Sequence, residues 1–403
     1  MVFNCAVLPI NVLSCRTHSL EVVRLSSPIL ALSHLDSALA RVRTVADRCS
    51  LGGVVLTTPG SVAWATGGIN TAIDRSASVD VVWLAVGSDR AVIITTDVEA
   101  PRLAAENDLA GLGLDLVAVP WWDAPGFVTA AAAALGTTPK DLGSDGHPDF
   151  GCNVSYELTT SRLTLDLGEQ ERMRALGQDA TAAVQDALRS WTPGEPDREV
   201  AARIAAGVER VGALAPVLLV GGDDRFRRFR HPVAVGRPLS EVVMAVLVAS
   251  RAGLHVALTR YAAAREPEGE FADSLTAVRR IHRRTLAASQ PGATTGDVLA
   301  ELAAAYADEG HPDGWRQHYQ GGPIGYAQRE FEIAPGQLDS PWWSTRLPNG
   351  GAVAWNPSLP GGAKDEDSYL VHDGAPEPIT VTADWPTADD ELPARPAVLV
   401  VGH

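Results

Sequence analysis

The spacing of apolar residues predicts a mixed α/β domain over residues 33–165. Apolar stripes at helical spacing cover residues 35–49 and 99–107. Four β-branched runs lie between and after them, at residues 53–58, 79–86, 91–96 and 114–120. Runs of this kind that alternate with helices are typical of a mixed α/β domain.

The segment SVAWATGG, at residues 61–68, interrupts this alternation and ends in two glycines. Glycine adopts backbone conformations that are closed to other residues, and it lets a second chain segment approach closely. We therefore predict a turn here, with a close backbone approach at Gly67 and Gly68.

From residue 166 onward one pattern occurs twice. Two helical patterns flank Pro193–Gly194, at residues 167–191 and 197–211. Later in the chain two more flank Pro291–Gly292, at residues 273–289 and 295–310. A Pro-Gly pair ends one helix and allows the next to begin, and β-branched runs follow each helix pair. Two such halves indicate an α+β domain with pseudo-twofold symmetry.

Two C-terminal segments resemble a known family. HYQGGPIGYAQRE at residues 318–330 and GGAVAWNPSLPGGAKDEDSYLVHDG at residues 350–374 are similar to the signatures of the creatinase, aminopeptidase P and methionine aminopeptidase family, the pita-bread fold. The resemblance implies an α+β chain with a pita-bread domain at 166–403 and a smaller creatinase-type N-terminal α/β domain at 33–165. Residues 1–32 are then an N-terminal extension, either disordered or the product of a start codon assigned too early.

The resemblance also implies where a metal site would lie. Members of the family hold two divalent ions with two Asp, one His and two Glu. The register set by Thr259–Arg260 and by the flanking Gly and Pro residues gives the matching positions, which are Val246, Ala257, Gly322, Asn356 and Glu366. Only Glu366 offers a carboxylate to a hard cation. We therefore expect neither a metal ion nor another cofactor.

Positive charge remains where the carboxylates are missing. Four cations lie in or beside the matched segments: Arg251, Arg260, Arg329 and Lys364. If two of these side chains point inward, the cleft is electropositive. Such a cleft favours a substrate with a carboxylate or carbonyl group and disfavours a guanidinium such as that of creatine.

The resemblance places His231, in RHPVAVGRPL at residues 230–239, at a catalytic His position of the family. Neutral imidazole is a suitable general base at pH 7. Glu366 is expected to orient that imidazole, or to act as the base itself if burial raises its pKa. Arg329 replaces another catalytic His, and with Asn356 it is expected to donate to a developing oxyanion.

The predicted substrate-binding residues are His318, Gln320, Tyr326, Asn356, Lys364 and Arg260. Structural alternatives exist for the central ones. His231 could cap its loop, Glu366 could form an ion pair with Lys364 or Arg329, and His318 could be a core histidine with satisfied hydrogen bonds.

We predict a metal-independent, creatinase-like hydrolase that acts on an amide-type C–N bond of a small, carboxylate-bearing metabolite. A metal-free lyase or cyclase that needs only proton transfer would use the same His231. An inactive pita-bread module that binds peptide or protein is the alternative from another class. A peptidase with a non-standard metal site would need a ligand cluster for which the sequence offers no suitable spacing.

Charge and composition restrict the partners. The formal net charge of −16 argues against nucleic acid. One basic run, RFRRFR at residues 225–230, is interpreted as a charged loop, with single-stranded nucleic acid as the less favoured alternative. No apolar run approaches the roughly 20 residues of a membrane span, and the first thirty residues lack a signal-peptide pattern. The four Cys show neither disulfide nor zinc spacing, as expected for a reduced cytoplasmic protein.

By resemblance the protein is expected to be a homodimer that binds a small-molecule substrate. The N-terminal domain of one subunit would close the cleft of its partner. Gly67–Gly68, Asn70 and Arg75 are the candidates for reaching the neighbouring site.

Overall fold

The computed structural model describes residues 28–69, 71, 73–334, 339–389, 391 and 393–401, with side chains from residue 33 onward. The predicted extension at residues 1–32 therefore lies outside this range, apart from the backbone of the first helical turn. Asn70, a predicted interface residue, also lies outside the described residues. No helix among the described residues is long and apolar enough to cross a membrane.

The N-terminal part is built around one six-stranded sheet. Its helices are α1 (Pro28–Arg48), α2 (Pro59–Thr66), α3 (Ala100–Glu106), α4 (Ala124–Ala134) and α5 (Ser155–Arg162). Its strands are β1 (Gly53–Leu56), β2 (Val82–Val86), β3 (Ala91–Thr96), β4 (Asp115–Val119), β5 (Leu142–Ser144) and β6 (Cys152–Asn153), in the order β4-β3-β2-β1-β5-β6. Both faces of the sheet are covered, because Val54 and Leu56 pack in one apolar cluster and Val55 in another.

Residues 61–68 form most of a helix, so the predicted turn is wrong. Thr58 caps α2 by accepting a hydrogen bond from the backbone N–H of Ser61, and Pro59 occupies the first helical turn. The helix ends at Gly67, in the left-handed region with φ of 72°. The predicted close approach does occur, since a Cβ on Gly68 would lie 2.5 Å from that of Ala252.

The C-terminal part contains the predicted repeat of helix pairs and strands. Its helices are α6 (Leu167–Arg189), α7 (Asp197–Arg210), α8 (Asp223–Arg228), α9 (Gly269–Ala288) and α10 (Thr295–Asp308). Its strands are β7 (Glu195–Pro196), β8 (Leu214–Gly222), β9 (Pro238–Leu239), β10 (Val242–Arg251), β11 (Leu254–Ala263), β12 (Gly321–Pro323), β13 (Gly351–Trp355), β14 (Asp367–Val371), β15 (Glu377–Pro378) and β16 (Leu399–Val400). The chain is thus α+β with a pita-bread domain, as expected. The domain boundary between residues 165 and 166 stays a prediction.

Two four-stranded sheets form the core of this part, ordered β16-β11-β10-β8 and β12-β13-β14-β15. They meet where β11 approaches β14. The N–H of Thr259 donates to the carbonyl of Glu366 at 2.9 Å, and the N–H of Ala257 donates to Ser368 Oγ at 2.7 Å. Three of the five positions that match the family's metal ligands therefore lie on or beside this junction, namely Val246, Ala257 and Glu366.

A buried ion-pair network ties the C-terminal segment to β14. Arg395 is fully buried, and its guanidinium binds Asp365 at 2.6 Å and Asp367 at 2.9 Å. Arg260 binds the other oxygen of Asp367 at 2.7 Å. Each carboxylate is neutralised by an arginine, which is the condition under which charge is tolerated in a protein core.

Replacing Arg395 with Met should reduce the free energy of unfolding by about 3–5 kcal/mol, because the variant leaves two buried carboxylates underneutralised. Urea denaturation measures the change. The matched control is Arg284→Met, since Arg284 forms a partly exposed ion-pair triad with Glu301 and Asp308 and should cost about 1 kcal/mol or less. Equal losses in the two variants would contradict a structural role for the buried network.

Candidate functional site

Two histidines from distant parts of the chain meet at the mouth of the cleft. His231 follows α8, and His318 precedes β12. Their Nε2 atoms lie 3.2 Å apart, so one ring donates a hydrogen bond to the other. The ring of Tyr319 stacks on that of His231, with centroids 6.2 Å apart at an interplanar angle of 23°. His231 keeps part of its surface exposed to solvent, and its ring is covered on the side of His318 and Tyr319.

Both imidazoles are neutral at pH 7. Partial burial, together with the charges of Lys364, Arg329 and Arg230, lowers the pKa of His231 to about 4. Deeper burial and the same cations lower the pKa of His318 to about 2. Two neutral rings that share one hydrogen bond leave one basic nitrogen and one N–H outside it, at the two Nδ1 positions. The pair can therefore accept a proton at one end and donate one at the other.

Lys364 is only 3 % exposed, and it lies close enough to the histidine pair for its charge to lower the pKa of both rings. Its Nζ donates to the carbonyl of Arg230 at 3.2 Å. Burial lowers the pKa of Lys364 to about 8, and the nearby cations Arg230 and Arg329 oppose the favourable field of Glu366. Within the described part of the chain no carboxylate forms an ion pair with Lys364.

Glu366 does not orient His231, contrary to the prediction. Its Oε2 accepts a hydrogen bond from Thr259 Oγ1 at 2.9 Å, across the junction of β11 and β14. The partner of His231 is His318 instead. Burial raises the pKa of Glu366 even though Lys364 and Thr259 oppose the shift. The condition that we set for Glu366 to act as a base, a pKa raised by burial, therefore holds.

Asn356 presents an amide that the fold leaves unused. Its backbone N–H donates to the carbonyl of Gln320 at 2.8 Å, which fixes the residue beside the strand that follows His318. The side chain is 4 % exposed, and its Oδ1 has no hydrogen-bond partner among the described residues. A buried amide without a partner is costly, so this group is suited to bind a ligand.

Gln320 serves the fold rather than the cleft, which corrects its prediction as a substrate-binding residue. Its Nε2 donates to the carbonyls of Trp315 and His318 at 2.9 and 3.2 Å, and its Oε1 accepts from the hydroxyl of Tyr306 at 3.1 Å. With every polar atom of the amide occupied, Gln320 positions the segment that carries His318.

Arg329 lies at the mouth of the cleft, close enough to lower the pKa of both histidines. Its guanidinium binds Glu332 and lies over the ring of Tyr319, 5.4 Å from the ring centroid. It is held by an ion pair, and its charge still acts on the site.

Three other predicted cleft residues point elsewhere. Arg260 is 1 % exposed and belongs to the Asp367 network. Tyr326 is buried against α6, where its hydroxyl accepts from Arg172 at 3.4 Å and contacts Glu169. Arg251 binds Asp179 at 2.5 Å on the outside of the sheet. The alternation of side chains along β10 and β11 places Arg251 and Arg260 away from Thr259 and Glu366.

Arg230 is the cation that the sequence comparison missed. It is half-buried, and its Nη1 donates to Ser358 Oγ at 2.5 Å. Burial lowers its pKa, and no carboxylate forms an ion pair with it within the described chain. The sequence signal for it is the basic run at residues 225–230, which by itself is typical of a charged loop.

The residues at the family's metal positions do not fit two divalent ions. Val246 packs with Met244 and Tyr261 in an apolar cluster, and neither Ala257 nor Gly322 has a ligand atom in its side chain. The only potential ligand groups at the five positions are therefore the amide of Asn356 and the carboxylate of Glu366. Two hard cations need several carboxylate or imidazole ligands each.

One group of potential metal ligands lies elsewhere in the described chain, formed by His34, Asp166 and Glu169. The Nδ1 of His34 lies 2.6 Å from an Asp166 oxygen, and its Nε2 lies 2.7 Å from the carbonyl of Trp64. Both partners are acceptors, so both ring nitrogens carry protons and neither can bind a metal. This group, here called the α1–α6 clasp, joins α1 to the capping box of α6.

The predicted interface residues have partners within the chain. Arg75 binds Glu209 at 3.1 Å on the surface. Gly67 and Gly68 form the end of α2 and its contact with Ala252. The homodimer stays a prediction.

Comparison with known proteins places this geometry in context. The model of metallopeptidase family M24 matches residues 171–373, just over half of the chain. The solved structure of dipeptidase PepE from Mycobacterium ulcerans superposes with a TM-score of 0.71 at 19% identity, covering 92% of this chain and 99% of that one. Xaa-Pro dipeptidase from Bacillus anthracis gives 0.67 at 19%, covering 91% and 99%. None of the curated proteins matches the chain significantly.

The same fold occurs in a protein of another kind. The N-terminal domain of a FACT complex subunit from chickpea, Cicer arietinum, superposes with a TM-score of 0.63 at 10% identity, covering 87% of this chain and 96% of that one. At such identities the likeness establishes the fold, and function depends on the site.

The α1–α6 clasp predicts a pH-dependent stability. Burial lowers the pKa of His34, but Asp166 and Glu169 outweigh burial and raise it above 6.5. The same contact lowers the pKa of Asp166 to about 2, despite its desolvation. The stabilisation from His34 is complete below pH 6.5 and is lost as the pH rises through the raised pKa. That from Asp166 is present above pH 3.8 and is lost as the pH falls through about 2.

His34→Gln should therefore lower the free energy of unfolding by about 1–3 kcal/mol near pH 5 and by less at alkaline pH. Chemical denaturation across the pH range tests this. The control is His311→Gln, because the imidazole of His311 makes no hydrogen bond in the described chain. A deficit in His34→Gln that does not change with pH would show that His34 is not charged.

The missing ligands predict that the cleft does not hold the family's pair of metal ions. After dialysis against Mn²⁺, Co²⁺ or Zn²⁺ and removal of free metal, the protein should retain less than one ion per chain, as measured by elemental analysis. Two ions per chain that are lost in Glu366→Gln would contradict the conclusion drawn from the ligand set.

Proposed function

The chain belongs to metallopeptidase family M24, and from that premise we propose that it is a metal-independent hydrolase of a small metabolite. The bond cleaved is an amide-type C–N bond, and the metabolite carries a carboxylate. The observation that carries the proposal is a neutral histidine pair near two cations without carboxylate partners. Of the family's five metal ligands, the matching positions keep only Glu366.

The histidine pair supplies the general base. A water molecule attacks the amide carbon while His231, whose imidazole is exposed to the cleft mouth, takes one of its protons. The C–N bond then breaks, and the imidazolium returns that proton to the leaving nitrogen. The products are a carboxylic acid and an amine, and each ring ends as it began.

His318 makes this role possible through its own hydrogen bond. When His231 donates from Nε2 to His318, the Nδ1 of His231 carries a free lone pair and the Nδ1 of His318 carries a proton. The buried Nδ1 of His318 has no partner among the described residues. A substrate oxygen that accepts a hydrogen bond from the Nδ1–H of His318 would favour this tautomer, in which the Nδ1 of His231 has its lone pair free.

The unpartnered atom of Asn356 is Oδ1, which accepts hydrogen bonds and can therefore bind an N–H or O–H group of the substrate. The nearby cations suit the developing oxyanion, because the charges of Arg329 and Lys364 act on the same part of the site. Fixed donors in a site shielded from water stabilise a negative transition state more than a neutral ground state. Glu366, with its raised pKa, is a second candidate for proton transfer.

A binding module is the alternative that one observation favours. Val246 and Ala257 pack in apolar clusters, and a protein that only binds a partner can carry apolar residues at these positions without loss of function. The occurrence of this fold in a FACT complex subunit gives the alternative a precedent in fold. A metal-free lyase or cyclase would use His231 in the same way, and product analysis distinguishes it from a hydrolase.

Two further proposals concern the state of the protein. We infer a cytoplasmic location, which accords with the free thiols of Cys49 and Cys152. We also infer a homodimer, in which a partner's N-terminal part closes the exposed mouth around His231.

Replacing His231 with Ala should lower kcat about 10²–10⁴-fold, because the variant lacks the proposed base. The substrate is first identified by screening N-acyl amino acids and small amides for release of an amine. The control is His311→Ala, which removes a histidine of the same chain that has no part in the cleft. Turnover that is unchanged in His231→Ala would remove the proposed mechanism, and no turnover of any amide would favour the binding module.

A further inference from the structure

A cavity of about 210 Å³ is lined by Arg230, the residue directly before His231. Its polar lining residues are Arg227, Arg228, Arg230, Ser358 and Lys364, and its apolar lining includes Phe226 and Met244. Ligand pockets for drug-sized molecules span roughly 300–1,000 Å³, so this cavity suits one small group of a larger ligand.

The cavity has an excess of positive charge. Arg227, Arg230 and Lys364 form no ion pair with any carboxylate in the described chain, although most Arg side chains of this acidic protein do so. Arg228, also at the rim, differs because it pairs with Asp224 at 3.3 Å. Glu366 acts on Lys364 only from a distance, through its field.

Burial makes this excess costly. Lys364 is 3 % exposed, and Arg230 is half-buried with only the hydroxyl of Ser358 as a side-chain partner. A buried cation is normally paired, because desolvation without a partner disfavours the charge. An anion in the cavity would give both groups a charged partner. It would also find an arginine and a hydroxyl already joined at 2.5 Å.

We propose that this cavity is the subsite for the anionic group of the substrate, an oxyanion that is either a carboxylate or a phosphate. The proposal rests on the proposed function for its choice of ligand, because it assigns a location to the charged end of the metabolite. The oxyanion binds the guanidinium of Arg230 and the ammonium of Lys364, and Arg227 adds its charge at the open side.

The position of the cavity also determines the orientation of the bound substrate. Arg230 directly precedes His231 in the chain, and the charge of Lys364 acts on both histidines. An anionic group held between Arg230 and Lys364 therefore leaves the rest of the molecule near the imidazoles. The scissile bond lies on the histidine side, and the anionic group lies on the Phe226 side.

This assignment accounts for the basic run at residues 225–230. Phe226 is 2 % exposed and lies at the cavity base, so it does not stack on nucleobases. Arg225 is held by Asp197 at 3.0 Å. Arg227 and Arg230 are left to face the cavity. The run thus contributes to the wall of the proposed anion pocket.

Calorimetric titration of the full-length protein with inorganic phosphate, acetate and acetamide tests the proposal. Acetamide matches acetate in shape but is neutral, so saturable binding is expected for an anion and not for acetamide. Arg230→Gln and Lys364→Met should each weaken anion binding about tenfold or more. Arg227→Gln alters an exposed side chain without an ion pair, so it preserves the fold and should weaken binding by a smaller factor. The control for loss of charge is Arg90→Gln, which alters the turn between β2 and β3 of the N-terminal sheet and should bind as the unaltered protein does.

The outcomes separate this proposal from the proposed function. The anion that binds more tightly, acetate or phosphate, identifies the group of the substrate as a carboxylate or a phosphate. The variant His231→Ala should still bind the anion but lose turnover. No saturable binding of either anion, or equal binding by Arg230→Gln and Arg227→Gln and the unaltered protein, would overturn the pocket even if turnover depends on His231. Anion binding with turnover unchanged in His231→Ala would leave the pocket standing and remove the base.

Discussion

The site depends on the balance of charge around Lys364. This ammonium is buried, and it donates to the carbonyl of Arg230 in the segment that carries His231. With Val246, Ala257 and Gly322 at those positions, the cleft lacks the anions that two metal ions would neutralise. Burial, together with the charges of Lys364, Arg230 and Arg329, keeps His231 and His318 neutral. A charge pattern opposite to that of a metallopeptidase accounts for the neutral state of the imidazoles, together with their burial, and for the proposed preference for an anionic substrate.

Much of the fold could be predicted because its signals are local and repeated. The strand at residues 91–96 follows from its run of β-branched residues. The paired helices follow from the helical spacing of their apolar residues and from the Pro-Gly turn between them. Residues 61–68 were misinterpreted for a physical reason. Small and apolar residues next to two glycines resemble a turn, but the Thr58 cap and Pro59 start a short helix whose every residue from Ser61 to Thr66 is buried.

The site was harder to predict because side-chain direction is set by tertiary structure. Register along the chain identified the positions of Lys364, Asn356 and His318. It did not reveal that Arg260 faces Asp367, or that Tyr326 faces α6, because neighbouring residues on a strand point to opposite sides. The pairing of His231 with His318, 87 residues apart in the chain, arises from the packing of two loops. Arg230 does not stand out in the sequence, because the basic segment at residues 225–230 resembles a solvated loop. Only the folded structure shows that its guanidinium donates to Ser358.

The most direct test is the ionisation of the two cleft histidines, read from ¹H–¹⁵N NMR of selectively labelled imidazoles as the pH is lowered. A cationic cleft without a carboxylate cage predicts that His231 stays neutral down to about pH 4 and His318 down to about pH 2. It also predicts that their signals are unchanged by Mn²⁺ at equimolar concentration. A pKa for His231 at or above 6.5, or broadening of both signals by stoichiometric Mn²⁺, would show that anionic ligands surround the pair and would contradict the account.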